Sequence, residues 1–282
     1  MAGIHFFKND DANVVAQKAI RVNLSDLAAM GAEPEGYLLN IALPKKNFNI
    51  DKWLDGFSSG LKAAQQEFGW SLWGGDTVAT TGPITISITA IGLVPKGKIL
   101  TRSGAKVGDN IYVSGTLGDG AAGLRLLKDK HTLKDIGDVN NFAPLIERYH
   151  RPLPRLKLAI FLRDIATSAM DISDGLMADL AHICHNSNVG AVIEFKKLPV
   201  SPTFSNLLAI KKQYSILIWS GGDDYELLFT IADKDQDAIK ELSRKLDIKL
   251  SKIGKITADH NIKLLDQTGS EIDISVGGFH HF

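Results

Sequence analysis

Four acidic stretches of this sequence carry the residue types of metal-assisted phosphate chemistry: Asp26, Gly74-Gly75-Asp76-Thr77, Asp171-Ile172-Ser173-Asp174-Gly175 and Gly221-Gly222-Asp223-Asp224. Hard divalent cations such as Mg²⁺ take oxygen ligands and often bridge to phosphates. Glycine lets a backbone approach a phosphate closely. Asp171 and Asp174 stand three apart at an expected strand-to-helix junction, so both could face one ion. Ser173 could add a hydroxyl or a backbone N–H near the helix start. Each has a plainer alternative. Asp174 could cap its helix, and Asp76 and Asp223 could be ordinary turn residues.

Other segments carry weaker signals. Gly115-Thr116-Leu117-Gly118-Asp119-Gly120 follows an expected strand and opens a helix, as a phosphate-binding loop would. It fits neither the P-loop nor the dinucleotide fingerprint, so a tight turn is the simpler reading. Arg102, Arg151 and Arg155 could clamp phosphates, although an arginine flanked by prolines also anchors turns. Trp70 and Trp73 read as core residues.

The elements that must position these groups follow from periodicity. A helix is expected from the Asp10-Asp11 cap to about Met30, where Gly31 and Pro34 end it. Val15, Ala19, Val22, Asp26 and Met30 share one of its faces, which places Asp26 on an apolar stripe. A carboxylate buried there needs a hydrogen bond, a counter-charge or a metal. A strand over Tyr37–Leu43 precedes a second helix with Leu54, Phe57, Leu61, Ala64 and Phe68 on one face. Trp70–Trp73 is a short strand running into the Gly-Gly-Asp-Thr turn, and Ile84–Val94 is a long β-branched strand. The polar link Thr101–Asp109 divides the chain into residues 1–105 and 106–282. Beyond it, strands and helices alternate, as in an α/β layered domain. The fold class expected is therefore a two-domain α+β and α/β protein.

The chain has 282 residues, enough for about two domains. Hydrophobic residues make up 44% and charged residues 23%, which excludes a disordered chain. Its 32 basic residues balance 32 acidic ones, which argues against nucleic acid as a partner. No stretch reads as a signal peptide or as a membrane span, so no membrane partner is expected. One cysteine, Cys184, excludes an internal disulfide and a multi-cysteine zinc site and fits a cytoplasmic location.

Taken together and in order, the motifs resemble the thiamine-monophosphate kinases of the aminoimidazole-ribonucleotide synthetase superfamily. The resemblance rests on Ala2-Gly3-Ile4-His5-Phe6, Val22-Asn23-Leu24-Ser25-Asp26-Leu27-Ala28-Ala29-Met30-Gly31 and Gly74-Gly75-Asp76-Thr77. It continues through Leu100-Thr101-Arg102-Ser103-Gly104-Ala105, Arg151-Pro152-Leu153-Pro154-Arg155, Asp171-Ile172-Ser173-Asp174-Gly175-Leu176 and Gly221-Gly222-Asp223-Asp224-Tyr225-Glu226-Leu227, to the His-Phe terminus. It implies ATP-dependent phosphorylation of thiamine monophosphate to thiamine diphosphate. It also implies a homodimer whose N-terminal sheet-plus-helices domains pair, followed by a C-terminal α/β domain. By position, Asp26, Asp76, Asp171 and Asp174 match Mg²⁺ ligands. Gly75, Asp76, Arg102 and Ser173 match ATP contacts, and His5, Asp223 and Phe279 match substrate contacts; no catalytic base is assigned. Two departures stand out. The family carries a further N-terminal segment with a Gly-Asp-Asp-Ala motif and a Thr-Asp pair, which this sequence is expected to lack. Asp223 stands where the family usually has Glu. The alternatives are a non-catalytic relative that binds Mg²⁺ or nucleotide, and a sister ATP-dependent synthetase.

Overall fold

The computed structural model describes residues 1–46, 48–129 and 136–274. Helix α1, Ala12–Ala29, begins where the Asp11 carboxylate accepts the Asn13 N–H at 2.8 Å, satisfying a donor that the helix itself cannot. Strand β1, Glu33–Pro44, leads to helix α2, Ile50–Phe68. Asn49 caps α2 at its start, and Gly69 ends it at φ 65°, a left-handed conformation that costs glycine nothing. Strands β2, Ser71–Thr80, and β3, Thr85–Leu93, complete a sheet of order β2-β1-β3. β1 runs parallel to β2, as the crossover through α2 requires, and antiparallel to β3.

The helices pack against this sheet around Ala16, Ile20, Leu24, Phe57, Leu61 and Ala64. They cross closely at Gly60, where a Cβ would lie 2.3 Å from the Asn13 carbonyl oxygen. Trp53 stacks on Phe57 with ring centroids 4.6 Å apart. Burying a side chain such as Phe57 is worth about 1.5–3 kcal/mol.

After the link, the chain builds one seven-stranded sheet of order β10-β9-β6-β8-β4-β7-β5. In chain order its elements are β4 (Asn110–Ser114), α3 (Asp119–Lys128), α4 (Ala143–His150), α5 (Leu156–Leu162), β5 (Ala166–Asp171), α6 (Leu176–Ser187) and β6 (Gly190–Glu194). They continue with α7 (Pro202–Ile210), α8 (Leu217–Ser220), β7 (Leu227–Ile231), α9 (Gln236–Leu246), β8 (Leu250–Thr257), β9 (Ile262–Leu265) and β10 (Glu271–Ile272). All neighbours pair antiparallel except β6 and β9. Alternation along the strands splits the core in two. Ile111, Val113, Met170 and Leu228 face Leu126, Leu180 and Phe204 on α3, α6 and α7. Tyr112, Ala169, Leu227 and Phe229 face Leu158 and Leu162 of α5, Leu242 of α9, and Ala28 and Ala29 of α1.

Three expectations need correction. The stripe Val15-Ala19-Val22-Asp26-Met30 is not the core face of α1: Val15 is buried, Ala19 and Val22 are half-buried, and Asp26 and Met30 are exposed. The helix is apolar on most sides, so periodicity could not choose between its faces. Gly74-Gly75-Asp76-Thr77 is not a turn but the middle of β2. Trp70 is buried against Tyr37, with centroids 4.5 Å apart, whereas Trp73 is 54% exposed.

Candidate active site

Three distant motifs meet at the carboxyl end of β5. The segment Gly221–Glu226 lies along the loop after Asp171. Asp223 N–H donates to the Ser173 carbonyl at 2.9 Å, Tyr225 N–H to the Ile172 carbonyl at 2.8 Å, and Ile172 N–H to the Glu226 carbonyl at 2.8 Å. A Cβ on Gly222 would lie 2.3 Å from the Ser173 oxygen, so the close approach needs glycine. Asp223 and Tyr225 adopt φ 65° and 51°. Left-handed backbone is tolerable for Asp but uncommon for Tyr, and such strain gathers at functional sites.

Helix α1 supplies the third motif. Ser25 Oγ donates to Asp171 Oδ2 at 2.7 Å. Neighbouring Asp26 reaches solvent, yet it sits in a recess of protein beside Asp171. Burial in that recess, and then the Asp171 charge, push its pKa up to about 6, against the pull of Arg102. Asp171 itself is 4% exposed. Burial raises its pKa, the bond from Ser25 and the Arg102 charge lower it, and Asp174 raises it again. Asp26, Asp171, Asp174 and Arg102 thus form one electrostatic cluster. Gly104, at φ 114°, lets the Arg102 segment lie against β5, since a Cβ there would be 2.4 Å from the Thr167 oxygen.

Two of the ATP-matched residues lie elsewhere. Gly75 and Asp76 are on exposed β2, where the Asp76 carboxylate accepts the Thr77 N–H at 2.8 Å. Gly75 packs so tightly on β1 that a Cβ would lie 1.7 Å from the Leu39 oxygen. Among the described residues, no three His, Cys, Asp or Glu side chains converge closely enough to hold a metal ion by themselves. Ser173 and Asp174 lie in the loop after β5. Asp174 does not cap α6: the N-cap is Gly175. Instead Asp179, in the first turn of α6, accepts the N–H groups of Ser173, Asp174 and Gly175 at 3.0, 3.1 and 3.1 Å. That residue escaped the sequence reading, because it presents itself there only as a helical Asp.

A cavity of about 440 Å³ opens beside this cluster, between α1, β3 and the Gly222–Tyr225 segment. Val15, Ala19 and Val22 give it an apolar wall, which accounts for the stripe on α1. His5, Ser173, Asp174 and Asp223 line it as well, so the structure brings both described substrate-matched residues to one space. Phe279 lies outside the described residues. Lys18 Nζ, which the sequence reading missed, bonds Asp223 Oδ1 at 2.9 Å.

Two candidate phosphate groups are already engaged by protein. Asp224, fully buried, accepts the Gly118 N–H at 2.7 Å and the Gly120 N–H at 3.2 Å. The Gly115–Gly120 loop is therefore closed by a carboxylate, in agreement with the tight-turn reading. Burial drives the Asp224 pKa well up, and the two N–H bonds offset only part of that rise. Arg155 grips buried Glu226 through Nε and Nη2, both at 2.6 Å, and Arg148 joins the same carboxylate. Arg151 pairs with Glu147 at 2.8 Å. The phosphate-clamp reading of Arg155 thus gives way to a buried salt bridge, whereas Arg151 makes only an exposed pair one helical turn away.

Two family profiles match the chain: AIR synthase related protein, N-terminal domain, over residues 1–94, and AIR synthase related protein, C-terminal domain, over residues 106–267. The thiamine-monophosphate kinase of Escherichia coli strain K12 is 41% identical over 285 residues, spanning 100% of this chain and 84% of that protein. Its counterpart from Bacillus subtilis strain 168 is 30% identical over 99% of this chain and 83% of its own length. Among solved structures, AaThiL complexed with AMPPCP and TMP superposes with a TM-score of 0.85 at 30% identity, over 100% of this chain and 84% of that one. The thiamine-monophosphate kinase of Stenotrophomonas maltophilia K279a gives a TM-score of 0.86 at 39% identity, over 93% and 82%.

Proposed function

This chain belongs to the thiamine-monophosphate kinase family, and from that premise we infer that it transfers the γ-phosphoryl group of ATP to thiamine monophosphate, giving thiamine diphosphate. The observation that carries the reading is the electrostatic cluster of Asp26, Asp171, Asp174 and Arg102, anchored by the Ser25–Asp171 bond, beside a cavity that reaches Asp223. Phosphoryl transfer depends on positioning and charge neutralisation more than on a covalent catalyst. The acceptor is already an anionic phosphate at neutral pH, so no general base is required.

The family implies Mg²⁺, and the residues fit it. Asp26 and Asp171 are hard oxygen donors held together against their mutual repulsion, which a cation relieves. Mg²⁺ commonly takes one or two carboxylates and completes its shell with water and phosphate oxygens. Asp26 and Asp171 would hold it together with phosphate and water oxygens, and Asp174 and Asp76 are the further ligands that the family implies, since no three carboxylates come together among the described residues. When bound, Mg²⁺ neutralises polyphosphate charge. Arg102, Ser173, Gly75 and Asp76 are the ATP contacts in this reading. His5 and Asp223 contact thiamine monophosphate along the cavity, with Phe279 as a third contact. The Ser25 hydroxyl and the Asp179 carboxylate fix the aim of the Asp171–Asp174 loop.

A homodimer is part of this proposal, as the family implies, and one surface feature supports it. β2 is an edge strand that exposes Leu72, Trp73 and Val78, and Leu38 of β1 and Leu93 of β3 are exposed as well. An apolar edge of this kind invites pairing with a second copy. No helix among the described residues is long and apolar enough to cross a membrane. A cytoplasmic location fits the single buried cysteine.

The test is thiamine diphosphate formation by the purified chain with ATP, Mg²⁺ and thiamine monophosphate. Product is expected from the wild type and none from a folded Asp171→Asn variant. A folded wild-type chain that forms no product would refute the reading.

A further inference from the structure

We propose that Lys18 is a resident cation occupying the seat of the substrate's cationic ring, and that its displacement makes the site selective for the phosphorylated form of the substrate. The inference rests on the reading of the cavity as the thiamine monophosphate site. It begins with the surroundings of one ammonium group. Lys18 Nζ lies 2.9 Å from Asp223 Oδ1 and 3.4 Å from the centroid of the Tyr149 ring. An aromatic face with a carboxylate beside it is the arrangement that recognises organic cations. Lys18, Tyr149 and Asp223 all line the cavity. Thiamine and its phosphates carry a permanent thiazolium cation, so the protein holds in its own side chain a stand-in for the ligand's charge.

The stand-in is movable and the seat is fixed. The backbone of Asp223 is held in a left-handed conformation by its N–H bond to Ser173, which limits where its carboxylate can reach. Tyr149 is 2% exposed and packs edge-on against Phe7. Lys18 hangs from α1 on a flexible four-carbon stem. Its side chain is only 9% exposed, so the ammonium has given up most of its water to sit there, and burial favours its neutral form. Asp10 is the other carboxylate whose charge it feels.

One carboxylate and one ring face cannot serve two cations. A thiazolium that enters must expel Lys18 into the cavity. Thiamine brings no counter-charge for the expelled ammonium, so displacement forfeits the Asp223 bond and the Tyr149 face with only water and the Asp10 charge in return. Thiamine monophosphate brings a phosphate that can pair with it. Lys18 therefore discriminates by penalising the unphosphorylated ligand.

Calorimetric titration of the full chain with thiamine and with thiamine monophosphate tests this on the wild type and on Lys18→Met, which keeps the apolar stem. Thiamine is expected to bind the variant about tenfold more tightly. Thiamine monophosphate is expected to gain nothing or weaken, so the preference for it falls at least tenfold. Unchanged or weaker thiamine binding would overturn the proposal, because a Lys18 that merely props Asp223 in place would on removal weaken both ligands. Should the variant fail to fold, reductive methylation of the wild type with peptide mapping puts the same question: thiamine is expected to speed labelling of Lys18, and protection would overturn the proposal. A wild-type chain that binds no thiamine monophosphate would overturn the functional reading, and this inference with it.

Discussion

Glu226 is fully buried and faces two arginines, an imbalance that predicts an unequal response to substitution. Arg155 holds it bidentately, Arg148 bonds the same oxygen, and Ser114 Oγ donates to Oε2 at 2.5 Å. The arginine side chains are only 16% and 11% exposed. Glu226→Gln keeps the shape and takes the directly bonded carboxylate from two nearly buried cations, leaving Arg148 only the charges of Asp119 and Asp224. Removing one partner of a buried ion pair costs about 3–5 kcal/mol, and both arginines lose theirs here. Arg148→Met also removes a partner but leaves Glu226 and Arg155 as a matched pair. Its cost is expected at about 1–2 kcal/mol, chiefly the lost hydrogen bonds. Burial alone would raise the Glu226 pKa, but the two arginines and the hydrogen bonds outweigh it and hold the carboxyl below its ordinary 4.5. A lowered carboxylate pKa stabilises the fold above the unfolded value, and that contribution is lost as pH falls through the folded one. Urea unfolding followed by tryptophan fluorescence reads all three proteins from pH 7 down to the acid limit of the fold. The gap between wild type and Glu226→Gln should narrow once pH drops below 4.5. A Glu226→Gln cost no larger than that of Arg148→Met would refute the charge argument.

Asp179→Ala removes the acceptor for three consecutive N–H groups. It should lower stability by about 1–3 kcal/mol and weaken ATP binding by more than Asp179→Asn does, as titration with a non-hydrolysable ATP analogue would show. Gly75→Ala places a methyl 1.7 Å from the Leu39 oxygen. β2 must then part from β1, and circular dichroism should show a lower melting temperature, whereas Gly82→Ala, outside the left-handed region and with its nearest neighbour 3.5 Å away, should change little. Trp73→Glu puts a charge on the exposed apolar edge of β2; under the proposed pairing, sedimentation velocity should find the variant shifted toward monomer relative to the wild type at equal concentration.

The parts of the site legible in the sequence are those whose chemistry is carried by neighbours in the chain. Asp171 and Asp174 could be paired because they are three residues apart, and the helix over Ile50–Phe68 announces itself by its spacing and by Gly69. The parts that were hidden depend on contacts across the chain. Nothing local marks Lys18 as the partner of Asp223, 205 residues away, or Glu226 as the partner of Arg148 and Arg155. Periodicity does not pick the core face of α1, because apolar residues surround it and a cavity is walled by the same side chains as a core. Gly74-Gly75 was read as a turn because paired glycines usually are one. Here they thin a strand so that two backbones can nearly touch.

Helix α1 belongs to both halves of the molecule. Its first turns fill the core beneath the three-stranded sheet, while Ala28 and Ala29 complete a core of the seven-stranded one. Between these, Ser25 reaches Asp171 and Lys18 reaches Asp223. A chain severed at the Thr101–Asp109 link would leave each half with an open wound of apolar surface and broken polar contacts. What sequence divides into two domains is therefore expected to unfold as one cooperative unit, with a single melting transition in calorimetry. Evolution of such a protein is constrained accordingly: a change on α1 that suits one half must be tolerated by the other.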